Sequence, residues 1–341
     1  MNIVVAAPQV PFARGGAELM AETLVAELRV RGHGADLVTV PFKWYPGTRV
    51  LSQALLWRLV DLEEADGVRI DLVIATKFPA YCVRHPRKVA WVLHQFRQAY
   101  EYDRTELGQF SESAGDRATR RAVHRLDRVA LGECRHVFAT SRNVADRLRR
   151  TVDVAAEVLP HPPQKLAYRS GDYGDFVLSV NRLDRAKRID LLLEAAAAEP
   201  ALRVVVAGDG PDRGRLEALA RDLGLNGRVE FAGRVPDEEL VDLYARCRAV
   251  FYAPIDEDFG MVPYEAFLSE RPVLTTRDAG GPLEIVADRE TGLVTAPEPG
   301  ELARALAGLD EATARAYGQA GRRLAERVTW DACIDRLLAF A

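Results

Sequence analysis

The chain has 341 residues and a net charge of −4, with 48% hydrophobic and 28% charged residues. This composition is typical of a globular enzyme of about two domains, and the chain as a whole offers no electrostatic case for nucleic-acid or membrane binding. Four scattered cysteines, without C-x-x-C or metal-ligand spacing, predict reduced thiols in a cytoplasmic protein without a metal site. No apolar run approaches the roughly 20 residues of a membrane span, and the opening segment is expected to be a strand, not a signal peptide.

The first half of the chain alternates short β-branched runs with helical patterns. Strands are predicted at Asn2–Ala7, Ala35–Val40, Asp71–Thr76, Lys88–His94 and His136–Thr140, and helices at Ala17–Arg31, Leu51–Ala65, Arg117–Glu133 and Asn143–Arg150. Three prolines then fall within four positions of Leu159–Lys165, where neither a helix nor a central strand can continue. This segment is predicted to be a linker and a hinge.

A second alternating series follows the linker. Strands are predicted at Asp175–Val180, Leu202–Ala207, Arg228–Ala232, Arg248–Ala253 and Pro272–Thr276, and helices at Ile189–Ala198, Arg213–Leu223, Asp237–Cys247, Val262–Ser269, Gly281–Ala287, Pro299–Leu309 and Asp310–Val328. Several strands are apolar on both faces, which favours parallel sheets covered by helices on both sides. The predicted fold class is therefore α/β, with two Rossmann-like domains that bind a ligand at the carboxyl ends of their strands.

The segment Glu257–Glu265, with the sequence EDFGMVPYE, is the most informative part of the chain. It joins a predicted buried strand to the N-terminus of a helix, and the free N–H groups of such a junction form an anion site. Two carboxylates beside an anion site point to a ligand that also offers hydroxyl groups. A nucleotide sugar meets both requirements, because its diphosphate suits the N–H groups and its hydroxyls suit Glu257 and Glu265.

Two further turns of the second half follow predicted strands. In the turn NRLDRAKR, Arg182 offers a planar fork and Lys187 a compact charge for phosphate oxygens. The neighbouring Arg185 and Arg188 are expected to be solvated. The turn AGDGP contains Gly208, and it fits either a loop that passes close to a base or ribose, or a plain βα turn.

Two features of the first half are candidates for ligand contact. Gly15 and Gly16 open a helix after the first strand, where they form either a bare structural turn or a ligand-facing loop. Without a third glycine and a suitable acid after the second strand, a dinucleotide fingerprint is not supported, which argues against a nicotinamide dehydrogenase. His94 ends a predicted strand, and this position favours a functional role over a packed or solvated side chain.

The segment Arg117–Arg150 is rich in arginine, with Asp127, Glu133 and Asp146 interspersed. Because these acids can pair with the arginines, we expect a solvated, partly ion-paired surface. A basic face for an anionic acceptor or for lipid headgroups is the alternative.

Taken together, the motifs GGAE, NRLDRAKR, GDGP and EDFGMVPYEA resemble those of the family-4 retaining glycosyltransferases, whose GT-B fold has two Rossmann-like domains facing each other across a cleft. The resemblance spans nearly the whole chain. It implies an N-terminal acceptor-side domain, residues 1–165, with a C-terminal helix at about 329–341 that packs back on it. Residues 166–328 would then form the domain that binds the nucleotide sugar.

The resemblance also implies roles for individual residues. The implied donor-binding residues are Arg182, Lys187, Gly208, Gly260, Met261, Val262 and Glu265. Within this set, Arg182 and Lys187 would bind the diphosphate and Glu265 the ribose. The implied acceptor and phosphate loop contains Gly15, Gly16 and Arg97. The implied catalytic residues are His94, which matches the family's first-domain histidine near the transferred sugar, and Glu257, which would hold hydroxyls of that sugar.

The implied reaction moves a hexose, with retention and without metal, from a nucleotide-diphosphate sugar to an unknown hydroxyl acceptor that is a glycan, a lipid-linked compound or a small molecule. The resemblance implies no cofactor beyond this GDP- or UDP-linked donor, and similarity to a subgroup that includes mannosyltransferases favours GDP-mannose. It implies no nucleic-acid partner and leaves peripheral contact with the inner face of the membrane open. A nucleotide-sugar epimerase of the same fold, and a sugar-nucleotide-binding protein without catalysis, are the alternatives.

The chain departs from the family pattern in two places. Many relatives have glycine where Asn181 and Arg188 stand, so the loop around Arg182 is expected to be stiffer here. Glu270 and Arg271 replace a common pair of a small residue and glycine.

Overall fold

The computed structural model describes residues 1–12 and 14–341. Its internal contacts divide the chain into two compact units. Unit 1 comprises Met1–Gln164 and Val328–Ala341, and unit 2 comprises Lys165–Arg327. Each unit is built on a six-stranded parallel sheet with helices packed against it, which confirms the predicted α/β fold of two Rossmann-like domains.

In the sheet of unit 1, the order in which successive strands are added reverses at the first strand. The strands are β1 (Asn2–Gln9), β2 (Gly34–Pro41), β3 (Glu64–Ala65), β4 (Val68–Arg69), β5 (Leu72–Ala75), β6 (Lys88–Val92), β7 (His136–Ala139) and β8 (Glu157–Val158). β3 and β4 form a separate antiparallel pair, and the other six pair in parallel in the order β2-β1-β5-β6-β7-β8. The switch point therefore lies between β1 and β5, and ligands of open parallel sheets bind at such points.

Helices cover both faces of this sheet. They are α1 (Gly16–Val30), α2 (Val50–Leu59), α3 (Ala114–Gly132), α4 (Arg142–Val152) and the last helix of the chain, α11 (Trp330–Leu338). Because successive strand residues point to opposite faces, Val4 joins the core beneath α2, α3 and α4, whereas Ile3 joins the core beneath α1 and α11. In that second core the ring of Trp330 lies edge-on to Trp91, with 6.2 Å between ring centres.

Unit 2 has the strand order typical of a dinucleotide-binding fold. Its strands are β9 (Phe176–Val180), β10 (Arg203–Ala207), β11 (Val229–Gly233), β12 (Ala249–Phe251), β13 (Val273–Thr276) and β14 (Gly292–Thr295). They pair in parallel in the order β11-β10-β9-β12-β13-β14. The switch point lies between β9 and β12, so the loops that follow these two strands meet at the same edge of the sheet.

The helices of unit 2 enclose a second core. They are α5 (Ile189–Ala198), α6 (Arg213–Asp222), α7 (Asp237–Arg246), α8 (Val262–Leu268), α9 (Pro299–Ala307) and α10 (Glu311–Ala325). Leu192, Leu216 and Leu302 are fully buried members of this core. None of the described helices is both long and apolar enough to cross a bilayer.

Arg271, where relatives commonly have glycine, is fully buried in unit 2. Its guanidinium lies 3.6 Å from the ring centre of Tyr173 and donates hydrogen bonds to the carbonyls of Gly171 at 2.6 Å and Tyr244 at 3.1 Å. These bonds tie the segment before β9 to α7, so the arginine has a structural role.

The predicted helix Leu51–Ala65 is wrong in its second half, because α2 ends at Leu59. The following residues form the β3–β4 hairpin, whose turn consists of Asp66 with φ +50° and Gly67 with φ +75°. Asp-Gly with two positive φ angles is the preferred two-residue hairpin turn, so this difference has a signal in the sequence.

The predicted helix Gly281–Ala287 is also wrong. Only a four-residue 3-10 turn forms at its start. The strand β14, which follows it and completes the sheet edge, was not predicted from the sequence.

Candidate functional site

Lys187 and Glu257 are in direct contact at the switch point of unit 2. Lys187 ends the turn that follows β9, and Glu257 lies in the loop after β12. The Nζ of Lys187 donates a hydrogen bond to the Glu257 carboxylate, and the two side chains are 19% and 15% exposed. The structure thus brings together one residue predicted to bind phosphate and one predicted to bind sugar hydroxyls.

Tyr252 forms an aromatic wall beside this pair. It directly follows β12, is 4% exposed, and its ring centre lies 5.5 Å from the Nζ of Lys187. Burial alone would lower the pKa of Lys187, but the Glu257 carboxylate and the Tyr252 phenol outweigh it and raise the pKa above its usual value. Lys187 is therefore a permanent cation. Tyr252 was missed from the sequence, since an aromatic residue after a strand is most often simply core.

The loop after β9 carries two cations, Lys187 and Arg182, whose N–H donors are not all used within the protein. A lysine ammonium has three N–H donors; Glu257 takes one of those of Lys187 and the Tyr252 hydroxyl also interacts with it, which leaves at least one donor. Arg182 lies five positions earlier in the same loop, is exposed, and forms no ion pair with any residue that the structure describes. Both cations predicted to bind phosphate thus have donors available for a ligand.

Asp184 adds a second carboxylate to this loop. Its side chain is partly buried, and its Oδ1 has no hydrogen-bond partner in the described part of the chain. Burial raises the pKa of Asp184, and the positive charges of Lys187 and Arg182 oppose that rise. This acid was not singled out from the sequence.

Glu265 occupies a separate, tyrosine-lined part of the site. It lies on α8, is 9% exposed and accepts a hydrogen bond of 2.7 Å from the Tyr244 hydroxyl. Burial raises the pKa of Glu265, and the hydrogen bond from Tyr244, together with the Tyr168 hydroxyl nearby, opposes the rise. Burial and then the charge of Glu257, with a smaller contribution from Glu265, also raise the pKa of Tyr252, and Lys187 opposes the rise.

Gly260, Met261 and Val262 connect the two glutamates. Gly260 has φ +85°, and a Cβ atom there would lie 2.6 Å from the ring of Tyr252. Only glycine fits this position, because any side chain would strike the aromatic wall. Met261 caps α8 and Val262 begins it, and all three residues are partly exposed.

Gly208 packs against the loop that carries Arg182. Its φ is +127°, and a Cβ atom there would lie 1.9 Å from the carbonyl oxygen of Asn181. The Leu183 N–H also donates to the Asp209 carbonyl at 3.1 Å. The glycine therefore lets the loops after β9 and β10 meet, and its contact with a donor stays a prediction.

Arg188 was expected to be solvated, and this expectation is wrong. Its side chain is 14% exposed and donates to the Ala253 carbonyl at 2.8 Å, the Thr276 hydroxyl at 2.7 Å and both Asp278 oxygens at 2.8 and 2.9 Å. Its φ of +50° lies in the region that favours glycine, the residue many relatives have there. Arg188 thus fastens the turn after β9 to the ends of β12 and β13.

The loop that carries Glu257 is held by the Gly-Gly turn after β13. The Glu257 N–H donates to the Ala279 carbonyl at 2.7 Å, and its carbonyl accepts from the Gly281 N–H at 2.8 Å. These two bonds fix the backbone of Glu257, so its carboxylate is placed by the fold as well as by Lys187.

In unit 1, Gly15 and Gly16 open α1 at the switch point. The Gly15 N–H donates to Glu18 Oε2 at 3.0 Å, and Glu18 Oε1 accepts from Lys77 Nζ at 2.9 Å. Gly15 has an extended backbone with φ −136°, so no positive φ requires glycine there. Lys77, which follows β5, was not identified from the sequence.

His94 and Arg97 lie together in the loop after β6. His94 is partly buried, and its Nδ1 is 2.7 Å from the Gln95 carbonyl. The Arg97 guanidinium lies 4.2 Å from the ring centre of Tyr102, and its Nε lies 3.9 Å from the Glu101 carboxylate. The roles predicted for both residues stay predictions.

Metal-ligating side chains do not cluster in the described residues: no group of three or more His, Cys, Asp or Glu is arranged to hold an ion.

Comparison with known proteins matches unit 2 to a glycosyltransferase family. Residues 167–324 match the family model described as Glycosyl transferases group 1. The chain is 35% identical over 174 residues to a D-inositol 3-phosphate glycosyltransferase of Mycobacterium avium, an alignment that covers 48% of this chain and 41% of that protein. The chain thus spans less than half the length of this curated relative.

Solved structures match over both units. Sucrose-phosphate synthase from Thermosynechococcus elongatus has a TM-score of 0.81 at 20% identity, with all of both chains covered. The Anabaena protein HepE, solved in complex with UDP and glucose, has a TM-score of 0.72 at 20% identity, with 99% of both chains covered. These likenesses show that the chain has the GT-B fold of such enzymes.

Proposed function

We propose that the protein is a retaining glycosyltransferase that moves a hexose from a nucleotide-diphosphate sugar to a hydroxyl acceptor without a metal ion. The contact between Lys187 and Glu257 carries the proposal. It joins a permanent cation to a fixed carboxylate, which are the groups that a diphosphate and a sugar require. The family match of residues 167–324 supports the same reaction class.

The donor diphosphate would lie against Lys187 and Arg182. As the bond between the sugar C1 and the diphosphate oxygen breaks, negative charge grows on the leaving group, and these cations stabilise it. Glu257 would hold the sugar hydroxyls and favour the oxocarbenium-like transition state. The acceptor oxygen would then bond to C1 on the face that the diphosphate leaves, and a phosphate oxygen would take the acceptor proton.

The remaining candidate residues divide between the units. Glu265, in its tyrosine-lined part of unit 2, would accept hydrogen bonds from the ribose hydroxyls. We assign the acceptor side to unit 1, through the Gly15–Gly16 turn, His94 and Arg97. The acceptor is a glycan, a lipid-linked compound or a small molecule, and a cytoplasmic location remains part of the proposal.

Two donors have support of different kinds. The UDP and glucose in the HepE structure favour a uridine-linked hexose, whereas the motif resemblance favours GDP-mannose. We therefore propose a hexose donor carrying one of these two bases.

Incubation with UDP-glucose or GDP-mannose, followed by proton NMR, tests the reaction class. Without an acceptor we expect slow hydrolysis that releases the free nucleotide and a hexose that first appears as the α anomer, because the donor's configuration is retained. Release of the β anomer would contradict retention. Conversion of the donor into an epimer without nucleotide release would favour an epimerase, and binding without any turnover, with acceptors also supplied, would favour a sugar-nucleotide-binding protein.

A further inference from the structure

The exposed face of α3 in unit 1 carries a row of arginines. Arg117, Arg121 and Arg125 follow one another at intervals of four residues, and Arg128 follows one turn later. Residues four apart on a helix lie on one face, and all four side chains are exposed. The row therefore forms a continuous basic strip.

Two of the three acids expected to neutralise this strip, Asp127 and Glu133, are occupied elsewhere. Asp127 is fully buried and accepts a hydrogen bond of 2.7 Å from Tyr100. Glu133 is bound by Arg58 of α2. Arg121 and Arg125 form no ion pair with any residue in the described ranges, whereas Arg117 pairs with Glu112. The segment is thus partly ion-paired, as expected, and leaves these two arginines solvated.

The neighbouring helix α2 exposes an apolar strip. α2 packs on the same core as α3, so the outer faces of both helices point away from the same side of the sheet. Leu55, Leu56 and Leu59 are 59%, 46% and 82% exposed on that outer face. A contiguous apolar strip of this kind on a surface helix marks an interaction site.

An exposed aromatic loop precedes α2. Trp44 and Tyr45 are 39% and 53% exposed, and the Nζ of Lys43 lies 5.1 Å from the Tyr45 ring centre. Gln53 of α2 accepts a hydrogen bond of 2.5 Å from the Lys43 N–H, which holds the loop beside the helix. Trp, Tyr and Lys are the residues that gather at the headgroup level of bilayers.

We propose that the outer face of α2 and α3 docks on a bilayer that contains anionic lipids. Such a bilayer offers phosphate headgroups to the arginines and acyl chains to the leucines, whereas a nucleic acid would match the arginines alone. The charge complementarity is local, because the chain as a whole carries −4. Docking goes beyond the proposed transfer reaction and needs no sugar nucleotide.

Cosedimentation with vesicles tests the docking surface. The full chain is mixed with phosphatidylcholine vesicles, with and without phosphatidylglycerol, at low and high salt. We expect binding to the anionic vesicles that weakens as salt rises. The double variant Arg121→Ala, Arg125→Ala should bind roughly 25-fold more weakly, about fivefold for each arginine.

Two further variants separate the contributions. The triple change of Leu55, Leu56 and Leu59 to Ser should remove the binding that persists at high salt. The control is Arg221→Ala with Arg323→Ala, which removes the same charge from exposed helix positions of unit 2 and should bind like the unaltered chain.

Three results would overturn the docking surface: no sedimentation of the unaltered chain with anionic vesicles at low salt, equal binding to both vesicle types, or equal losses in the α3 variant and the control. Circular dichroism melts establish that each variant is folded. Because no step uses a donor, failure here leaves the transferase proposal standing, and failure of the transferase assay leaves the docking result standing.

Discussion

Replacing Lys187 by Ala is the sharpest perturbation of the proposed donor site. The substitution removes a permanent cation whose remaining N–H donors are available to phosphate oxygens. A hydrogen bond to a charged group contributes about 1.5–3 kcal/mol, which corresponds to a roughly 10-fold to 150-fold weaker Kd for a nucleoside diphosphate. We expect the upper part of this range, because Glu257 would lose its cation and repel the diphosphate.

Isothermal titration calorimetry with UDP and GDP measures this loss directly. Arg182→Ala should weaken binding within the same range. Arg185→Ala is the matched control, since Arg185 is exposed, lies two positions from Lys187 and forms no ion pair with any described residue. The Kd of this variant for the nucleoside diphosphate should stay within about twofold of that of the unaltered chain, as for a surface charge without a partner.

Unchanged affinity in both Lys187→Ala and Arg182→Ala would remove the phosphate assignment. An equal loss in Arg185→Ala would show a general effect of charge and would refute the specific site. Thermal melts of each variant exclude unfolding as the cause of weaker binding.

Three further predictions concern single side chains. Glu257→Gln should leave the Kd of the free nucleotide within about threefold and slow transfer at least roughly 100-fold; equal losses in calorimetry and in the transfer assay would assign Glu257 another role. Burial raises the pKa of Asp127 from 3.8 to about 7 against opposing hydrogen bonds from Tyr100, so the folded state keeps a proton that the unfolded chain has lost. Stability should therefore fall by up to about 4 kcal/mol as pH rises between these two values, and Asp127→Asn should flatten this dependence in urea titrations; equal slopes would contradict it. Arg188→Gly should be about 1 kcal/mol more stable than Arg188→Ala, because glycine tolerates φ +50°, and equal urea midpoints would argue against backbone strain there.

The sequence contains enough to predict the layout of the fold. Parallel strands that are apolar on both faces, each followed by a helical pattern, require sheets covered on both sides. Placing Lys187 and Glu257 after two of those strands predicts that they meet, and the structure shows them paired across 70 residues of chain. The prediction succeeds because strand ends at a switch point converge whatever the loops between them do.

Other features depend on where distant side chains fall, and the sequence does not reveal them. The sequence around Arg188 predicts a solvated side chain, because its partner Asp278 lies 90 residues later in the chain. Asp127 reads as a partner for surface arginines, but the helix turns it into the core. By contrast, the Asp66-Gly67 dipeptide does indicate a hairpin turn in the sequence. Helical periodicity, used without this turn signal, overestimates the length of α2.

The central claim is that unit 2 binds a sugar-bearing diphosphate at the Lys187–Glu257 pair. Thermal shift with UDP, GDP and ADP, each beside its monophosphate, tests it most directly, because a ligand that binds only the folded state stabilises it by about 2.7 kcal/mol at 100 times its Kd. We predict a clear rise in Tm with UDP or GDP, and a much smaller rise both with the matching monophosphate and in the Lys187→Ala variant. No shift with any of the three diphosphates, or equal shifts with diphosphate and monophosphate, would contradict the claim.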